Sequence, residues 1–338
     1  MKKDVRMIDI ANSLNISVVT VSNALNDREG VSSSLRSEIK KAAEDLGYKY
    51  TSNEKLSSRI MNRNIGILMS ERFVGDKGTF YLRLCQVVSK ELLKSNLFAI
   101  TETLSKDDEK RHVLPKVISE SKISGLIVLG QLNHDYLDVL VKCCIPVIFL
   151  DFYDKHYNID CVVTDNFYGM YLLTDYLIEC GHTSLGFVGN VQATSSIQDR
   201  YLGYIKAQME NNMDPSANER FCINDRDENG IFLKDIVLPP QLPTAFVCNC
   251  DETAFRVINK LRSKKINVPS DVSVVGFDNF LVSDVCDPPI TTVEVNLKAM
   301  AGATVEIMLK KLEDSKYKAG RKIILGKIVM KESVQKII

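Results

Sequence analysis

Three charged side chains have the types and positions needed to hold a small polar ligand. Asp151 and Asp278 each follow an apolar, strand-like run, and Arg200 follows a third such run. Carboxylates accept hydrogen bonds from hydroxyls and a guanidinium donates two parallel bonds, so the three together suit a polyhydroxyl ligand. Phe80 and Tyr81, at the start of a helical segment, can supply an apolar face for a sugar ring. Simpler roles stay open, because an Asp at a strand end often caps a helix and Arg200 can pair with a neighbouring carboxylate.

The other residues that could bind metals or act as nucleophiles show no such pattern. The four histidines are far apart in the sequence, and no cysteine pair has Cys-x-x-Cys spacing. No segment has the glycine spacing of a phosphate-binding or dinucleotide-binding loop. The motifs therefore predict no metal, no cofactor and no catalytic residue, although a triad assembled only in space stays open. Nine scattered cysteines predict a reduced, cytoplasmic protein.

A second set of polar residues lies near the N-terminus, in a segment that predicts two short helices. Apolar residues recur at helical spacing before Asn15, a residue type that tolerates the left-handed conformation of a tight turn. Ser17 can cap the second helix, because its hydroxyl accepts from free amides of the first turn. In a helix-turn-helix DNA-binding motif, one helix supports a second helix that presents small polar side chains to the base edges. Any small amphipathic helical hairpin has the same sequence pattern. The residues left to cover the outer sides of the second helix are Val18, Val19, Thr20, Ser22 and Asn23.

A third helix and a polar linker follow this hairpin. Ser32 lies in a Ser-rich cap ahead of an amphipathic segment, and Gly47 can end that helix. Residues 1–50 therefore predict a compact helix-turn-helix domain. Residues 51–64 are polar, contain no Gly or Pro, and are typical of a hinge or linker that can become helical.

From Ile65 onward, short apolar runs such as Gly125–Leu129 and Leu185–Val188 alternate with amphipathic segments. Continuous apolar strands that alternate with helices predict parallel sheets covered on both faces. Two such sheets in sequence predict a two-lobed α/β body over residues 65–338. Ligands bind beyond the carboxyl ends of the strands in open α/β sheets, and the three charged residues would lie at such ends.

Charge and hydropathy agree with a nucleic-acid-binding N-terminus on a globular body. Residues 1–63 contain 11 Lys and Arg against 8 Asp and Glu, a net charge of +3, and the whole chain is neutral. This small excess favours a phosphate-facing surface. No apolar run reaches the roughly 18 residues of a membrane span. No apolar secretory core follows the basic N-terminus.

The N-terminal block resembles the DNA-binding domain of the lactose-repressor (LacI/GalR) family. The match is ordered and without gaps, and its one marked departure is Asn15, where the family usually has Gly. The residues that carry it are Asp9-Ile10-Ala11, Ile16-Ser17, Thr20-Val21-Ser22, Leu25-Asn26, Val31-Ser32 and Asp45-Leu46-Gly47-Tyr48.

The body resembles the effector domain of the same family, which is similar to periplasmic sugar-binding proteins. The resemblance implies two discontinuous lobes, lobe 1 at about 65–162 and 293–322 and lobe 2 at about 163–292 and 323–338. The segments that carry it are Pro146–Asp151, Val163–Asn166, Gly181-His182, Arg200–Tyr204, Val268–Asn279 and Pro288–Val293.

The resemblance also implies roles for residues that contact DNA. Val18, Val19 and Asn23 match the base-reading positions, so we expect the valines to contact thymine methyls and Asn23 to be the polar reader. In the family, a Leu of the hinge is inserted into the minor groove. Leu56 lies one residue before the position that matches this inserted Leu. Three alternatives stay open: Leu56 is inserted in a shifted register, Ile60 is inserted instead, or the insertion is weak in this protein. Candidates for phosphate contacts are Ser17, Thr20 and Ser22 with Lys2, Lys3 and Arg6.

For the effector, the resemblance implies a site formed by Phe80, Tyr81, Asp151, Arg200 and Asp278. Where several family members have an Asn, this chain has a cysteine at position 250, with an Asn one residue earlier. That departure weakens any transfer of lactose-like specificity.

Together these features predict a sequence-specific, DNA-binding transcriptional regulator. We expect a homodimeric repressor of carbohydrate-utilisation genes that binds a pseudo-palindromic operator. A small sugar between the two lobes would change its operator affinity allosterically. The main alternative keeps the DNA-binding role but uses a purine or a phosphorylated carrier-protein corepressor as effector. A cleft enzyme acting on a sugar is a remote alternative, and the short C-terminal segment Lys327–Ile338 predicts no tail-mediated tetramer.

Overall fold

The computed structural model describes residues 5–25, 30–48, 63–74 and 80–337. Three helices form the N-terminal domain: α1 (Met7–Leu14), α2 (Val18–Leu25) and α3 (Ser33–Asp45). The predicted helical hairpin and third helix are confirmed. Their shared core consists of Ile10, Ala11, Val21, Ala24, Leu25, Ile39 and Ala43.

The turn between α1 and α2 is made as its residue types predict. Asn15 has φ 52° and ψ 44°, the left-handed conformation that a non-glycine residue adopts most readily when it is Asn or Asp. The backbone N–H of Ile16 then donates to the carbonyl of Ala11 at 3.0 Å. Ser17 Oγ accepts from the backbone N–H of Thr20 at 3.0 Å, which caps α2. The turn therefore fixes the angle at which α2 leaves α1.

Substitution of Ser32 by Ala is expected to destabilise α3 locally. Ser32 Oγ accepts from the backbone N–H of Leu35 at 3.3 Å, and loss of such a cap costs about 1 kcal/mol. Hydrogen exchange of the α3 amides measures this loss. Ser33→Ala is the matched control, because Ser33 is the first helical residue and not the cap. Equal protection of α3 in the two variants would argue against the cap.

The first of two compact units comprises residues 1–150, 155–160 and 302–320. Its sheet is parallel, with strand order β4-β3-β1-β2. Every residue of β3 and β4 is buried, as predicted for strands covered on both faces. The strands are β1 (Asn64–Ser70), β2 (Phe98–Leu104), β3 (Gly125–Leu129) and β4 (Val147–Leu150). The helices are α4 (Phe80–Lys94), α5 (Lys106–Lys110), α6 (Lys116–Ser119) and α7 (His134–Val141), with a 3-10 turn at Glu71–Phe73.

The second unit comprises residues 151–154, 161–301 and 321–338. Strands β6, β7 and β8 form a parallel sheet in that order, β5 pairs with β10 in parallel, and β9 pairs with β11 antiparallel. The strands are β5 (Asp160–Thr164), β6 (Leu185–Val188), β7 (Ala245–Cys248), β8 (Ser273–Val275), β9 (Thr292–Glu294), β10 (Arg321–Ile324) and β11 (Lys327–Val329). The helices are α8 (Asn166–Glu179), α9 (Ser195–Glu210), α10 (Asp251–Ser263) and α11 (Leu281–Val285), with a 3-10 helix at Pro215–Phe221. Helix α12 (Leu297–Glu313) begins in this unit, and its residues from Gly302 onward belong to the first.

The boundaries between the units differ from the predicted ones. Residues 293–301 belong to the second unit rather than the first, because β9 pairs with β11. The C-terminal return to the second unit begins at Arg321, since β10 pairs with β5. The three N-terminal helices are grouped with the first unit. Most of the predicted linker, residues 51–62, lies outside the described residues.

None of the helices in the described ranges is long and apolar enough to cross a membrane.

Candidate functional site

The predicted DNA-reading residues lie together on α2 and at the start of α1. Val18, Val19, Ser22 and Asn23 are half-buried, while Ser17 is exposed. The hydroxyl of Ser17 is within 2.8 Å of the hydroxyl of Thr20 as well as capping the helix. Arg6 precedes α1, and its backbone N–H donates to the carboxylate of Asp9 at 2.8 Å. The predicted DNA contacts of Lys2, Lys3, Leu56 and Ile60 fall outside the described residues.

The outer face of α2 borders a cavity of about 440 Å³ within the first unit. Val18, Val19, Ser22 and Asn23 line it on one side, and Cys143–Val147 on another. The thiol of Cys144 donates to Asn23 Oδ1. Asn23, the predicted polar base reader, is therefore hydrogen-bonded within the first unit in this structure.

Arg200 and Asp278, predicted separately from the sequence, form an ion pair in the second unit. Arg200 lies buried inside α9, and its Nη2 donates to Asp278 Oδ1 at 3.2 Å. Its Nε donates to Asn166 Oδ1 at 2.8 Å and its Nη1 to the carbonyl of Asn249 at 2.5 Å. The guanidinium lies 3.8 Å from the ring centroid of Phe277. Three of its five N–H donors are thus bound by protein, which fixes the plane of the guanidinium.

Arg200 does not pair with its neighbour Asp199. The carboxylate of Asp199 instead accepts from the hydroxyl of Tyr153 at 2.9 Å and from Arg321 Nη2 at 3.3 Å. Burial raises the pKa of Asp199, although the Tyr153 hydrogen bond and the Arg321 charge act in the opposite direction. Arg200 is therefore available to pair with Asp278.

Asp278 is held in a strained conformation beyond the end of β8. Its φ is 110°, a region that non-glycine residues rarely adopt and that concentrates at functional sites. Its backbone N–H donates to the carbonyl of Val293 at 2.8 Å. Burial raises the pKa of Asp278 to about 6, while the charges of Arg200 and Arg226 lower it. Oδ2 accepts no hydrogen bond from the described residues, so this oxygen can accept one from a ligand.

Asp251 supports the segment that carries Asp278. Its Oδ1 accepts from the Thr292 hydroxyl at 2.6 Å and its Oδ2 from the backbone N–H of Phe280 at 2.8 Å. Burial, together with the nearby charge of Asp278, raises the pKa of Asp251 well above its ordinary value. A Cβ on Gly276 would lie 2.2 Å from Asp251 Oδ1, so only glycine fits there. Asp251 is thus a structural carboxyl group.

A further guanidinium, that of Arg226, belongs to the same edge of the sheet. Its Nη2 donates to Asn249 Oδ1 at 3.1 Å, while Arg200 donates to the carbonyl of the same residue. Asn249 follows β7 directly, so both arginines converge at the carboxyl end of that strand. Arg226 is not predictable from the sequence pattern, because residues 222–238 contain no regular helix or strand that could place it.

Asp151 lies directly after β4 and belongs to the second unit. It is buried, with φ 68°, and its backbone N–H donates to the carbonyl of Val162 at 2.8 Å. It is not among the hydrogen-bond partners of Arg200. Its predicted contact with the effector therefore stays a prediction.

Phe80 and Tyr81 are the first residues of α4 in the first unit, and both are half-buried. The rings form a cluster, since Tyr81 lies 4.4 Å from Phe73 and 5.4 Å from Phe80 between centroids. Gly130 has φ 78°, and a Cβ there would lie 2.7 Å from the Phe73 ring. This glycine allows the aromatic cluster to lie against the loop after β3.

Two of the histidines that are far apart in the sequence meet in the first unit. The ring centroids of His134 and His156 are 4.3 Å apart, and Tyr157 lies 5.3 Å from His134. The Tyr157 hydroxyl donates to Asp138 at 2.8 Å, which anchors this loop to α7. Sequence separation concealed the pair, because the fold brings the loop after β4 back to the start of α7.

Two segments of the chain match known protein families. Residues 6–50 match the family described as bacterial regulatory proteins, lacI family. Residues 174–334 match a periplasmic binding protein-like domain.

Similar proteins match almost the whole chain. A curated relative, the HTH-type transcriptional repressor PurR of Aliivibrio salmonicida, is 26% identical over 97% of this chain and 98% of its own length. Among solved structures, a complex of the transcriptional regulator CelR with cellobiose has a TM-score of 0.67 at 19% identity, covering 97% of this chain and 99% of that one. The lac repressor dimer bound to operator and the anti-inducer ONPF has a TM-score of 0.65 at 19% identity, covering 98% and 100%. These structures share the fold.

Proposed function

Because this chain belongs to the LacI/GalR family of bacterial transcriptional regulators, we propose that it is a repressor whose operator affinity is set by a small sugar. The α1–α2 pair binds operator DNA, and the sugar binds at the carboxyl edge of the β6-β7-β8 sheet. The observation that supports this site best is the Arg200–Asp278 pair, which presents a free carboxylate oxygen beside a fixed guanidinium.

DNA recognition rests on the outer face of α2. Val18 and Val19 offer methyl groups to thymine methyls, and the Asn23 amide can both donate to and accept from an adenine edge. The hydroxyls of Ser17, Thr20 and Ser22, with the charge of Arg6, suit phosphate oxygens. A homodimer places two copies of α2 in successive major grooves, so we propose a pseudo-palindromic operator.

Regulation follows from two sites on one chain. A ligand that binds one conformation of the body more tightly than another shifts the population towards that conformation. In the present structure α2 contacts Cys144 and lines a cavity, so a conformation with α2 released is the one that binds DNA. The sugar thereby changes operator affinity by the difference in its own affinity for the two conformations.

A purine base is the second candidate effector. The PurR repressor of Aliivibrio salmonicida aligns with nearly the whole chain. The Phe73–Tyr81–Phe80 cluster also offers aromatic surface on which a planar base can stack. The sugar is preferred here because Asp278 Oδ2 and the arginines supply an acceptor and donors that suit hydroxyl groups.

A thermal-shift screen separates these effectors. Glucose, ribose and cellobiose represent the sugars, and adenine and guanine represent the purines. A compound that binds only the folded protein raises its unfolding midpoint as its concentration increases. We expect a sugar to give the largest shift, and a shift confined to the purines would replace the sugar with a purine in this proposal.

Asn23→Ala is expected to weaken operator binding about tenfold to hundredfold, because a base-reading contact contributes roughly 1–3 kcal/mol. Fluorescence polarisation at fixed salt, with palindromic sites from the neighbouring promoter and with random DNA, measures the loss. Asn12→Ala, an equal truncation at an exposed position of α1, is the matched control. If wild-type protein shows no preference for any such site over random DNA, the proposed function fails.

Sugar affinity is expected to fall as the pH drops below about 6, because the pKa of Asp278 is raised to about 6 and its protonated form is a poorer acceptor. A sugar that binds only the carboxylate loses about tenfold in affinity per pH unit below that value. Calorimetric titrations between pH 5 and 8 test this.

The contribution of Asp278 to the free energy of unfolding changes with pH in the opposite direction to the sugar affinity. The two effects can therefore be measured separately. The unfolded carboxyl ionises near its ordinary pKa of about 3.9 and the folded one near 6. Between those values the native state binds more protons, so the contribution to the free energy of unfolding decreases as pH rises. Sugar affinity that stays constant from pH 5 to 8 would place Asp278 outside the binding site.

A further inference from the structure

We propose that Arg226 donates to an acceptor oxygen of the effector, and that its pairing with Asp225 restricts the effector to uncharged molecules. For the sugar proposed above, this means a saccharide without phosphate or carboxylate groups. The inference rests on the proposed function, since it concerns the same sheet edge.

The guanidinium group of Arg226 is held along one edge by Asp225 and on one face by Phe232. Its Nε lies 3.0–3.1 Å from both carboxylate oxygens of Asp225, and its Nη2 donates to Asp225 Oδ2 at 2.8 Å. The ring of Phe232 covers one face, with its centroid 4.3 Å from the guanidinium carbon. Arg256 lies 5.0 Å from the centroid of the same ring. The guanidinium therefore cannot turn away without breaking several contacts.

The remaining contacts of Nη2 tie Arg226 to the end of β7 and the start of α10. Nη2 lies 3.1 Å from Asn249 Oδ1, 3.4 Å from Cys250 Sγ and 3.4 Å from Thr253 Oγ1. These three residues surround the strand end where Arg200 also binds. Through Asn249, Arg226 and Arg200 are bound to the same residue, and the charge of Arg226 lowers the pKa of Asp278.

The other terminal nitrogen, Nη1, is left for a ligand. It donates to no residue in the described part of the chain, and a guanidinium nitrogen of this kind carries two N–H donors. The Arg226 side chain is 13% exposed, so part of it reaches solvent. A preorganised donor with no protein acceptor is what a binding site presents to a ligand oxygen.

Charge balance decides which kind of acceptor fits. Asp225 is fully buried, and although burial raises its pKa, the Arg226 charge and hydrogen bonds lower it below its ordinary value. Asp225 therefore neutralises Arg226, as Asp278 neutralises Arg200. A carboxylate or phosphate brought to Nη1 would face the negative charges of both aspartates, whereas a hydroxyl or carbonyl oxygen would not.

Matched pairs of neutral and anionic sugars test this rule in the full-length protein. Titration calorimetry compares glucose with glucuronate and with glucose 6-phosphate, and ribose with ribose 5-phosphate. We expect the neutral member of the binding pair to bind at least tenfold more tightly. Tighter or equal binding of the anionic member overturns the charge rule while leaving the proposed regulator intact. If no member of any pair binds, the sugar effector itself fails and this inference with it.

Substitution of Asp225 is expected to shift the preference towards the anionic sugar, whereas the same substitution at an exposed aspartate is not. Asp225→Asn leaves Arg226 without its counter-charge, so the anionic member is expected to gain at least tenfold relative to the neutral one. Asp235→Asn removes the same charge at an exposed position near Lys260 and is expected to leave the ratio unchanged. An unchanged ratio in Asp225→Asn would also overturn the proposal.

The double variant Asp225→Asn/Arg226→Gln guards against a folding defect, because it removes both buried charges together. It is expected to lose at least tenfold in affinity for the neutral sugar and to gain none for the anionic one. Wild-type affinity in this variant, with a normal circular dichroism spectrum, would show that Arg226 does not contact the effector.

Discussion

Asp278→Asn is expected to make operator binding insensitive to the effector. The substitution removes the charge from the acceptor oxygen and leaves the buried guanidinium of Arg200 without its counter-ion. Neutralising one partner of a buried, hydrogen-bonded charge pair costs about 2–5 kcal/mol in binding, which is a loss of roughly 30-fold or more. Calorimetry with the effector from the thermal-shift screen measures the loss, and fluorescence polarisation with operator DNA measures the response.

Asp287→Asn is the matched control for this experiment. The Asp287 side chain is 94% exposed and pairs with Arg262 at the surface, so the same chemical change there is expected to alter effector affinity less than twofold. A circular dichroism spectrum of each variant separates loss of the fold from loss of the site. If Asp278→Asn binds the effector as wild type does, the site lies elsewhere.

The N-terminal domain could be predicted from sequence because its signals are local. Asn15 adopts the left-handed conformation and Ser17 accepts the capping hydrogen bond, and both depend only on residues within a few positions. Ser32 caps α3 for the same reason. The strands β3, β6 and β7 were also predicted at their observed bounds, since each is a continuous apolar run.

The candidate effector site was only partly predictable, because its contacts are long-range. Arg200 and Asp278 could be named from their places after apolar runs, but their ion pair joins residues far apart in sequence. Arg226 lies in a stretch without periodicity, and only the fold brings it to Asn249. The contact of α2 with Cys144 likewise has no local signal, since the two segments belong to different domains of the predicted scheme.

The largest loss of stability is expected for Asp160→Asn. Asp160 accepts from the ammonium group of Lys311 and from the backbone N–H groups of Ala319 and Gly320 at 2.9 and 2.8 Å. The two charged side chains are only 2% and 9% exposed, so the substitution leaves a buried, unpaired ammonium group. Breaking such a pair from one side costs about 3–5 kcal/mol. Urea unfolding at pH 7 measures the free energy of unfolding.

The pH dependence of this pair follows from the pKa of Asp160. Burial raises that pKa, but the hydrogen bond and charge of Lys311 and the two backbone N–H groups outweigh it, so the folded value lies below the ordinary one. The stabilisation is therefore complete above the ordinary Asp pKa of about 3.9 and is lost as pH falls through the folded value. Asp160→Asn should accordingly show a weaker loss of stability than wild type on acidification.

An exposed ion pair on α12, the helix that carries Lys311, allows the effect of burial on stability to be distinguished from the effect of charge. Glu306 and Lys310 lie one turn apart on α12 at 2.6 Å, with side chains 65% and 44% exposed. Glu306→Gln is expected to cost far less stability than Asp160→Asn, because solvent screens an exposed pair. The double variant Asp160→Asn/Lys311→Met should recover most of the loss, since no unpaired charge is then buried. Equal losses in Asp160→Asn and Glu306→Gln would mean that burial does not strengthen the Asp160–Lys311 pair.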